Sequence, residues 1–347
     1  MTAALPRRFL ALLALLLAVV AQPATARDVT DSAGRRVAVP DHIARVFAAG
    51  PPASTLLYVV APDRMTGWVR APKPSEKPFL LPAVRDLPEL GRLTGRGDTV
   101  NLERLLAEKP DIILDFGTVN DTYKSLADRV QAQTGIPTIL IDGRFENTAA
   151  ALRLVGDILG VPERGAALAA YAEKTFARVD AILAKVPSDK RPRLYLARGA
   201  DGLETGVAGS INTEILERVG GINVVKGLAD KGGLANVSPE QVLAFAPDVI
   251  VTLDAGFAAA VAGRSEWAAV PAVKAKRVYL APAAPFGFID TPPSVNRLIG
   301  LVWLTRLLYP SDGGDLRTDV RAFCRLFYQT DPSDADLAKL LTGSGAE

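Results

Sequence analysis

Asn101-Leu-Glu-Arg-Leu-Leu-Ala-Glu-Lys-Pro-Asp-Ile-Ile-Leu114 recurs as Ser238-Pro-Glu-Gln-Val-Leu-Ala-Phe-Ala-Pro-Asp-Val-Ile-Val251. Aligned without gaps, Glu103 meets Glu240, Leu106 meets Leu243, Ala107 meets Ala244, and Pro110-Asp111 meets Pro247-Asp248. Each copy reads as a capped short helix, a Pro-Asp turn and an apolar β-run. In the second copy Ser238 suits the N-cap, Pro239 the first helical position, and Gln241 the third, where it completes a capping box. Asn101 takes the cap position of the first copy. Two such units far apart in one chain predict two similar α/β lobes with a cleft between them.

The flanking sequence supports this architecture. Residues 43–48 form a β-run that Gly50-Pro51-Pro52 ends, and residues 53–60 follow with a helical pattern. Residues 65–69 are a further strand candidate, and residues 70–100, rich in Pro, Gly and charge, read as a long loop at a functional edge. Strand 112–116, helix 122–134 and strand 137–141 complete parallel βαβ units. Residues 147–186 are largely helical, with a break at Gly160-Val161-Pro162. The helix over 163–185 is roughly 35 Å long at about 1.5 Å per residue, enough to cross between lobes. Strands at 193–197 and 277–281 bracket the second copy, and helices are expected at 295–308, 316–328 and 334–341. The domain plan is therefore 1–26 leader, 27–146 N-terminal lobe, 147–187 connecting helix, and 188–347 C-terminal lobe with its terminal helices. One long helical crossover is stiffer than a pair of strand hinges, so limited lobe motion is expected.

Composition narrows the function. The chain has 347 residues, 49% hydrophobic, enough for two cores. Arg7-Arg8, the apolar run 9–20 and Ala24-Thr25-Ala26 form the three parts of a secretory leader cleaved before Arg27. No Cys near that site offers a lipid-anchor thiol, and Cys324 is the single cysteine, so no internal disulfide is possible. With Arg7 and Arg8 removed from the 40 basic residues, 38 face 38 acids, which excludes an electrostatic nucleic-acid binder. His42 is the single histidine, which removes multi-His metal sites and leaves little room for a Ser-His-Asp triad. Ser210, in Gly206-Val-Ala-Gly209-Ser210, lacks the spacing of a nucleophile elbow and a base. These exclusions favour a binder without cofactor over an enzyme.

Glu103 and Glu240 fall in the first turns of their helices, where an acid also complements the helix dipole. Paired across two lobes, they suit docking on a two-fold partner. Loops after predicted strands carry the ligand-site candidates, because ligands in open α/β sheets sit beyond the carboxyl ends of strands. They are Pro51, Thr118, Arg198, Thr205, Phe286 and Phe288, with Trp68 beside them. Arg198, just after a strand and before Gly199, needs an anion, supplied by a ligand or by an internal acid.

Three stretches together resemble the periplasmic substrate-binding proteins of iron-complex and vitamin B12 ABC importers: Val29-Thr-Asp-Ser-Ala-Gly-Arg-Arg-Val37, Asn101-Leu-Glu103 with Lys109-Pro-Asp111, and Val237-Ser-Pro-Glu-Gln-Val242 with Ala246-Pro-Asp248. The resemblance implies two Rossmann-like lobes joined by one long helix, a ligand in a shallow cleft, a monomer, and Glu103 and Glu240 paired with arginines of the permease dimer. A ferric siderophore-type chelate is the leading cargo on this reading. Molybdate- or tungstate-type oxyanions are the rival, followed by cobalamin. A chelate hydrolase and a sensor module are the alternatives of other classes.

Overall fold

A computed structural model describes residues 26–95, 102–228, 233–310 and 314–345. The leader 1–25 and the proposed cap Asn101 lie outside the described residues.

The chain opens with a hairpin that sequence reading treated only as a motif: β1 (Ala26–Thr30) pairs antiparallel with β2 (Arg36–Pro40). The reason for Asp31-Ser-Ala-Gly-Arg35 is local. Asp31 is buried at the turn and accepts the backbone N–H of Ala33 and Arg35, both at 3.0 Å, together with the Arg35 guanidinium at 2.7 Å. The same carboxylate takes the N–H of Leu140 at 3.2 Å, and Ser32 N–H donates to Leu140 O, so the turn is stitched to the N-terminal lobe.

That lobe is a parallel sheet, β3 (Val46–Ala48), β4 (Ile112–Gly117) and β5 (Thr138–Asp142), with β4 in the centre. Around it pack α1 (Pro51–Val60), α2 (Leu102–Ala107) and α3 (Asp121–Thr134). Strands β3 to β5 are buried along nearly their whole length, as the unbroken apolar runs of a sheet covered on both faces require. The strand expected at 65–69 is reduced to single bridges, Val46 to Met65 and Trp68 to Glu89. Its backbone is spent on the long loop instead: Trp68 N–H donates to Pro88 O at 2.8 Å and Leu90 N–H to Trp68 O at 2.7 Å. Residues 70–95 otherwise form the expected loop, interrupted by one short turn at Lys77–Phe79.

The connecting segment is two helices, α4 (Thr148–Ile158) and α5 (Pro162–Leu183), parted at the predicted Gly160-Val161 break. The 22 residues of α5 span roughly 33 Å. The C-terminal lobe follows with β6 (Arg193–Ala197), β7 (Glu204–Gly206), α6 (Glu214–Arg218), β8 (Ile222–Asn223), β9 (Leu234–Asn236), α7 (Pro239–Phe245), β10 (Val249–Thr252), α8 (Ala255–Ala260), α9 (Pro271–Lys274) and β11 (Val278–Leu280). Its parallel sheet runs β11-β10-β6-β8, and β7 pairs with β9 in a small antiparallel ribbon.

The two repeat copies become α2 with β4 and α7 with β10, each a helix feeding the central strand of its lobe. The capping box of α7 forms as read from Ser238 and Gln241. The tail, α10 (Arg297–Leu308), α11 (Leu316–Phe323) and α12 (Asp334–Leu341), does not stay with the C-terminal lobe alone. A π-turn over Cys324–Tyr328 continues α11 and delivers Tyr328 to the N-terminal lobe, where Tyr58 Oη donates to Tyr328 O at 2.7 Å. Arg164 of α5 binds Val59 O at 2.8 Å and Phe327 O at 3.2 Å, tying lobe, connector and tail together.

Candidate ligand cleft and docking corners

Segment 281–296 leaves β11 at the carboxyl end of the C-terminal sheet, where Ala281 N–H donates to Thr252 O at 2.9 Å. Its backbone lies directly on α10. A Cβ on Gly300 would sit 1.8 Å from Phe288 O, so only glycine permits this approach. The segment also reaches across to the other lobe. Ser294 Oγ donates to Pro52 O at 2.8 Å, and the Phe286 ring lies 5.8 Å from Tyr58 and 6.2 Å from Trp68.

At the junction of the lobes stands a group that sequence reading did not single out. Arg297 is fully buried and binds three elements at once. It donates to Gly143 O of the N-terminal lobe at 2.7 Å, to Ile211 O at 3.0 Å and to the Glu214 carboxylate at 3.1 Å. Glu214 accepts the Phe145 N–H at 2.8 Å, and the Arg297 guanidinium lies over the Phe145 ring at 4.7 Å. Burial lowers the Arg297 pKa to about 10, with Glu214 opposing that shift, so it remains charged at neutral pH. The charge is satisfied on both sides of the lobe boundary, which makes it a tie between lobes. A cue was present in the sequence: an Arg directly before the apolar run 298–304.

Each predicted site residue has a definite place. Pro51 is half-buried at the first turn of α1, and Thr118 is exposed just beyond β4. Phe286 is half-buried at the lobe junction. Trp68, Thr205 and Phe288 differ from expectation: all are buried against protein. Trp68 spends its indole N–H on Val84 O at 2.8 Å and its faces on Tyr58 and Phe286. Thr205 lies inside the β7–β9 ribbon, and Phe288 packs under α10. The sequence marked them as loop or edge residues, whereas the segment 281–296 folds inward, burying Phe288 and covering Trp68 through Phe286, and the β9 strand covers Thr205.

Arg198 has internal partners. Its guanidinium meets the buried Asp290 carboxylate and the Glu204 carboxylate, the latter at 3.0 Å, and Asn212 Nδ2 donates to Asp290 Oδ1 at 2.6 Å. The internal-acid reading of Arg198 is the one the geometry supports. The stem of Arg92, not singled out in the sequence, and the ring of Pro51 both approach Gly95. In the N-terminal lobe the buried Asp115 accepts from Thr94 Oγ1 and from Phe116 N–H, both at 3.0 Å, and burial raises its pKa to about 6.

Glu103 and Glu240 are both exposed, one on each lobe, in the first turns of α2 and α7. The Ser238 hydroxyl and a first-turn amide hold the Glu240 carboxyl below the ordinary glutamate range, so it is ionised at neutral pH. Both helices are aimed by the same clasp. Asp111 accepts the N–H groups of Ala44 and Arg45 at 2.7 and 2.8 Å, while Arg45 binds Glu108 O at 2.6 Å, at the C-terminal end of α2. Asp248 accepts the N–H of Arg193 at 2.9 Å, while Arg193 binds Phe245 O at 2.7 Å, at the C-terminal end of α7.

Residues 59–285 match the family described as periplasmic binding protein. The chain belongs to that family. It is a substrate-binding protein of an ABC transporter, not an enzyme. Among solved structures, an ABC transporter solute binding protein from Sulfurospirillum deleyianum superposes with a TM-score of 0.82 at 30% identity, covering 90% of this chain and 98% of that one. The molybdate-binding protein MolA of Haemophilus influenzae is 29% identical over 88% of this chain and 91% of its own length. Its molybdate-bound structure gives a TM-score of 0.72 at 25% identity, covering 88% of this chain and 99% of that one. The haem-binding protein HmuT shares the fold at a TM-score of 0.58 and 21% identity, over 83% of this chain and 92% of its own. Binding proteins of this family deliver small ligands to ABC permeases. Among the described residues no helix is long and apolar enough to cross a membrane.

Proposed function

We propose that this periplasmic binding protein captures a small oxyanion of the molybdate or tungstate type between its lobes and delivers it to a permease dimer, docking through Glu103 and Glu240. The observation that carries this reading is the burial of Trp68 and Phe288. A large chelate held by aromatic walls needs exposed rings, and these rings are committed to the core. Phe286 is half-buried against Tyr58 and Trp68 and offers only an edge. What the strand ends offer instead is compact and polar: Thr118 with the Gly117 turn, and the first turn of α1 at Pro51. Hydroxyls and backbone amides suit a small anion. The molybdate-binding relative, similar over most of this chain, supports the same class.

Arg198 then serves as a positioning residue, holding the Asp290 segment in place rather than meeting cargo directly. The Arg297 tie supports a receptor whose lobes move little. A ferric chelate is the second reading, favoured by the Phe286 edge at the lobe junction.

Calorimetric titration of the purified protein with molybdate, tungstate, sulfate, a ferric hydroxamate and cyanocobalamin separates these readings. Molybdate and tungstate should bind, with sulfate at least about tenfold weaker. Binding of the ferric hydroxamate or the corrinoid in their place overturns the oxyanion assignment.

A further inference from the structure

Among the described residues, the large apolar side chains left in solvent are Leu102, Leu106 and Leu243, at 39%, 45% and 42% exposure. All lie on the two repeat helices. A single exposed leucine is ordinary. Here the exposure falls on the same helix in two lobes, and Leu106 and Leu243 occupy equivalent repeat positions.

Each follows its glutamate by three residues. In an α-helix that is a rise of about 4.5 Å on a shared face. The exposed positions whose identity is the same in both copies are Glu103 with Glu240, Leu106 with Leu243, and Ala107 with Ala244. They form an i, i+3, i+4 stripe on each helix. The opposite face is anchored by the fully buried Leu105 and Val242. Between the matched positions the copies diverge, with Arg104 and Leu105 in one and Gln241 and Val242 in the other. A two-fold partner offers the same surface twice, so it can read only what both lobes present. What both present is an acid, a leucine and a small alanine that leaves the leucine clear.

We infer that Leu106 and Leu243 are apolar pegs that seat in a hollow on each half of the permease dimer, next to the cation that receives Glu103 or Glu240. The inference rests on the docking reading above and adds the apolar half of each contact. The carboxylate gives orientation and encounter rate, and the leucine, once desolvated, slows release.

The test is the affinity of the purified full-length protein for its permease dimer in nanodiscs, measured by biolayer interferometry. Leu106→Ser and Leu243→Ser should each weaken binding about tenfold, and the double variant by roughly 30- to 100-fold, mainly through faster dissociation. Leu106→Met with Leu243→Met should stay within about twofold, since Met replaces Leu volume. Thermal midpoint and molybdate affinity should match wild type in every variant, because the pegs touch neither core nor cleft. Glu103→Arg with Glu240→Arg tests the docking reading separately. If these reversals abolish binding while the double serine variant binds like wild type, the docking reading stands and the pegs are overturned. If neither change weakens binding, both fall.

Discussion

The two lobes share one scaffold and differ at the ends of their central strands. Both place a short helix, a Pro-Asp turn and a central strand in the same order, and both aim the helix with an Arg–Asp clasp. Even the backbone repeats: Lys109 and Ala246, at matching positions, both adopt positive φ, 47° and 44°. The Arg carbonyl in each clasp also accepts from the turn aspartate N–H, Asp111 to Arg45 at 2.8 Å and Asp248 to Arg193 at 2.9 Å. One position further along the central strand than the matched segment, the copies part: the repeat register sets Asp115 against Thr252. Asp115 is a buried acid, and Thr252 is a buried hydroxyl that accepts from Asp254 N–H at 3.1 Å. The repeated part positions the outer helices identically. The divergent part is buried in both lobes, as an acid against Leu126, Ala127 and Val130 of α3 in one and as a hydroxyl in the other.

The largest expected effect comes from cutting the buried charge that ties both halves. Arg297→Met leaves Glu214 without its cation and Gly143 O without its donor, and should cost about 3 kcal/mol in chemical denaturation. A loss below about 1 kcal/mol would mean the lobes are held by packing alone.

The strand-end difference has a pH signature. The Asp115 pKa rises from 3.8 to about 6, because burial penalises its charged form more than Thr94 and Phe116 N–H relieve it. The native state therefore holds this proton more tightly than the unfolded chain. Its stabilising contribution is complete below about pH 4 and is lost as pH rises through about 6, by about 2–3 kcal/mol. Asp115→Asn should flatten the stability profile over that window and raise the thermal midpoint at pH 8. Thr252 carries no proton to titrate, so an unchanged profile in Asp115→Asn would place the titration elsewhere.

The clasps sharpen the comparison further. Asp111 holds two flanking amides and Asp248 one, so Asp111→Ala should cost about 2 kcal/mol and Asp248→Ala about 1 kcal/mol, read from urea midpoints. Equal costs would show that the second amide bond adds nothing. Smallest is the cap of α7: Ser238→Ala removes half of the capping box and should cost about 1 kcal/mol.

The scaffold was largely legible because its signals are local. Ser238-Pro-Glu-Gln spells a capped helix start, Pro110-Asp111 and Pro247-Asp248 spell turns, and the valine- and isoleucine-rich runs after them are covered strands. The resemblance read from the same stretches agrees with the family match. The cleft was less legible because its geometry depends on where 281–296 folds, which no local pattern states. That segment buries Phe288, pins Trp68 through Phe286, and supplies Asp290 to Arg198. Gly300 was the available cue, since a glycine inside an apolar helix marks close backbone approach. Asp115 was passed over because an acid inside an apolar strand reads as an interruption until its burial is known. The strand expected at 65–69 fails for a related reason: its hydrogen bonds go to Pro88 and Leu90 of the long loop.

The most direct test is native mass spectrometry with metal analysis on the protein isolated from its own periplasm. A bound molybdenum or tungsten oxyanion, released on unfolding, is the result expected of a compact polar cleft. An iron-bearing organic chelate of several hundred daltons, retained in the same way, would contradict it.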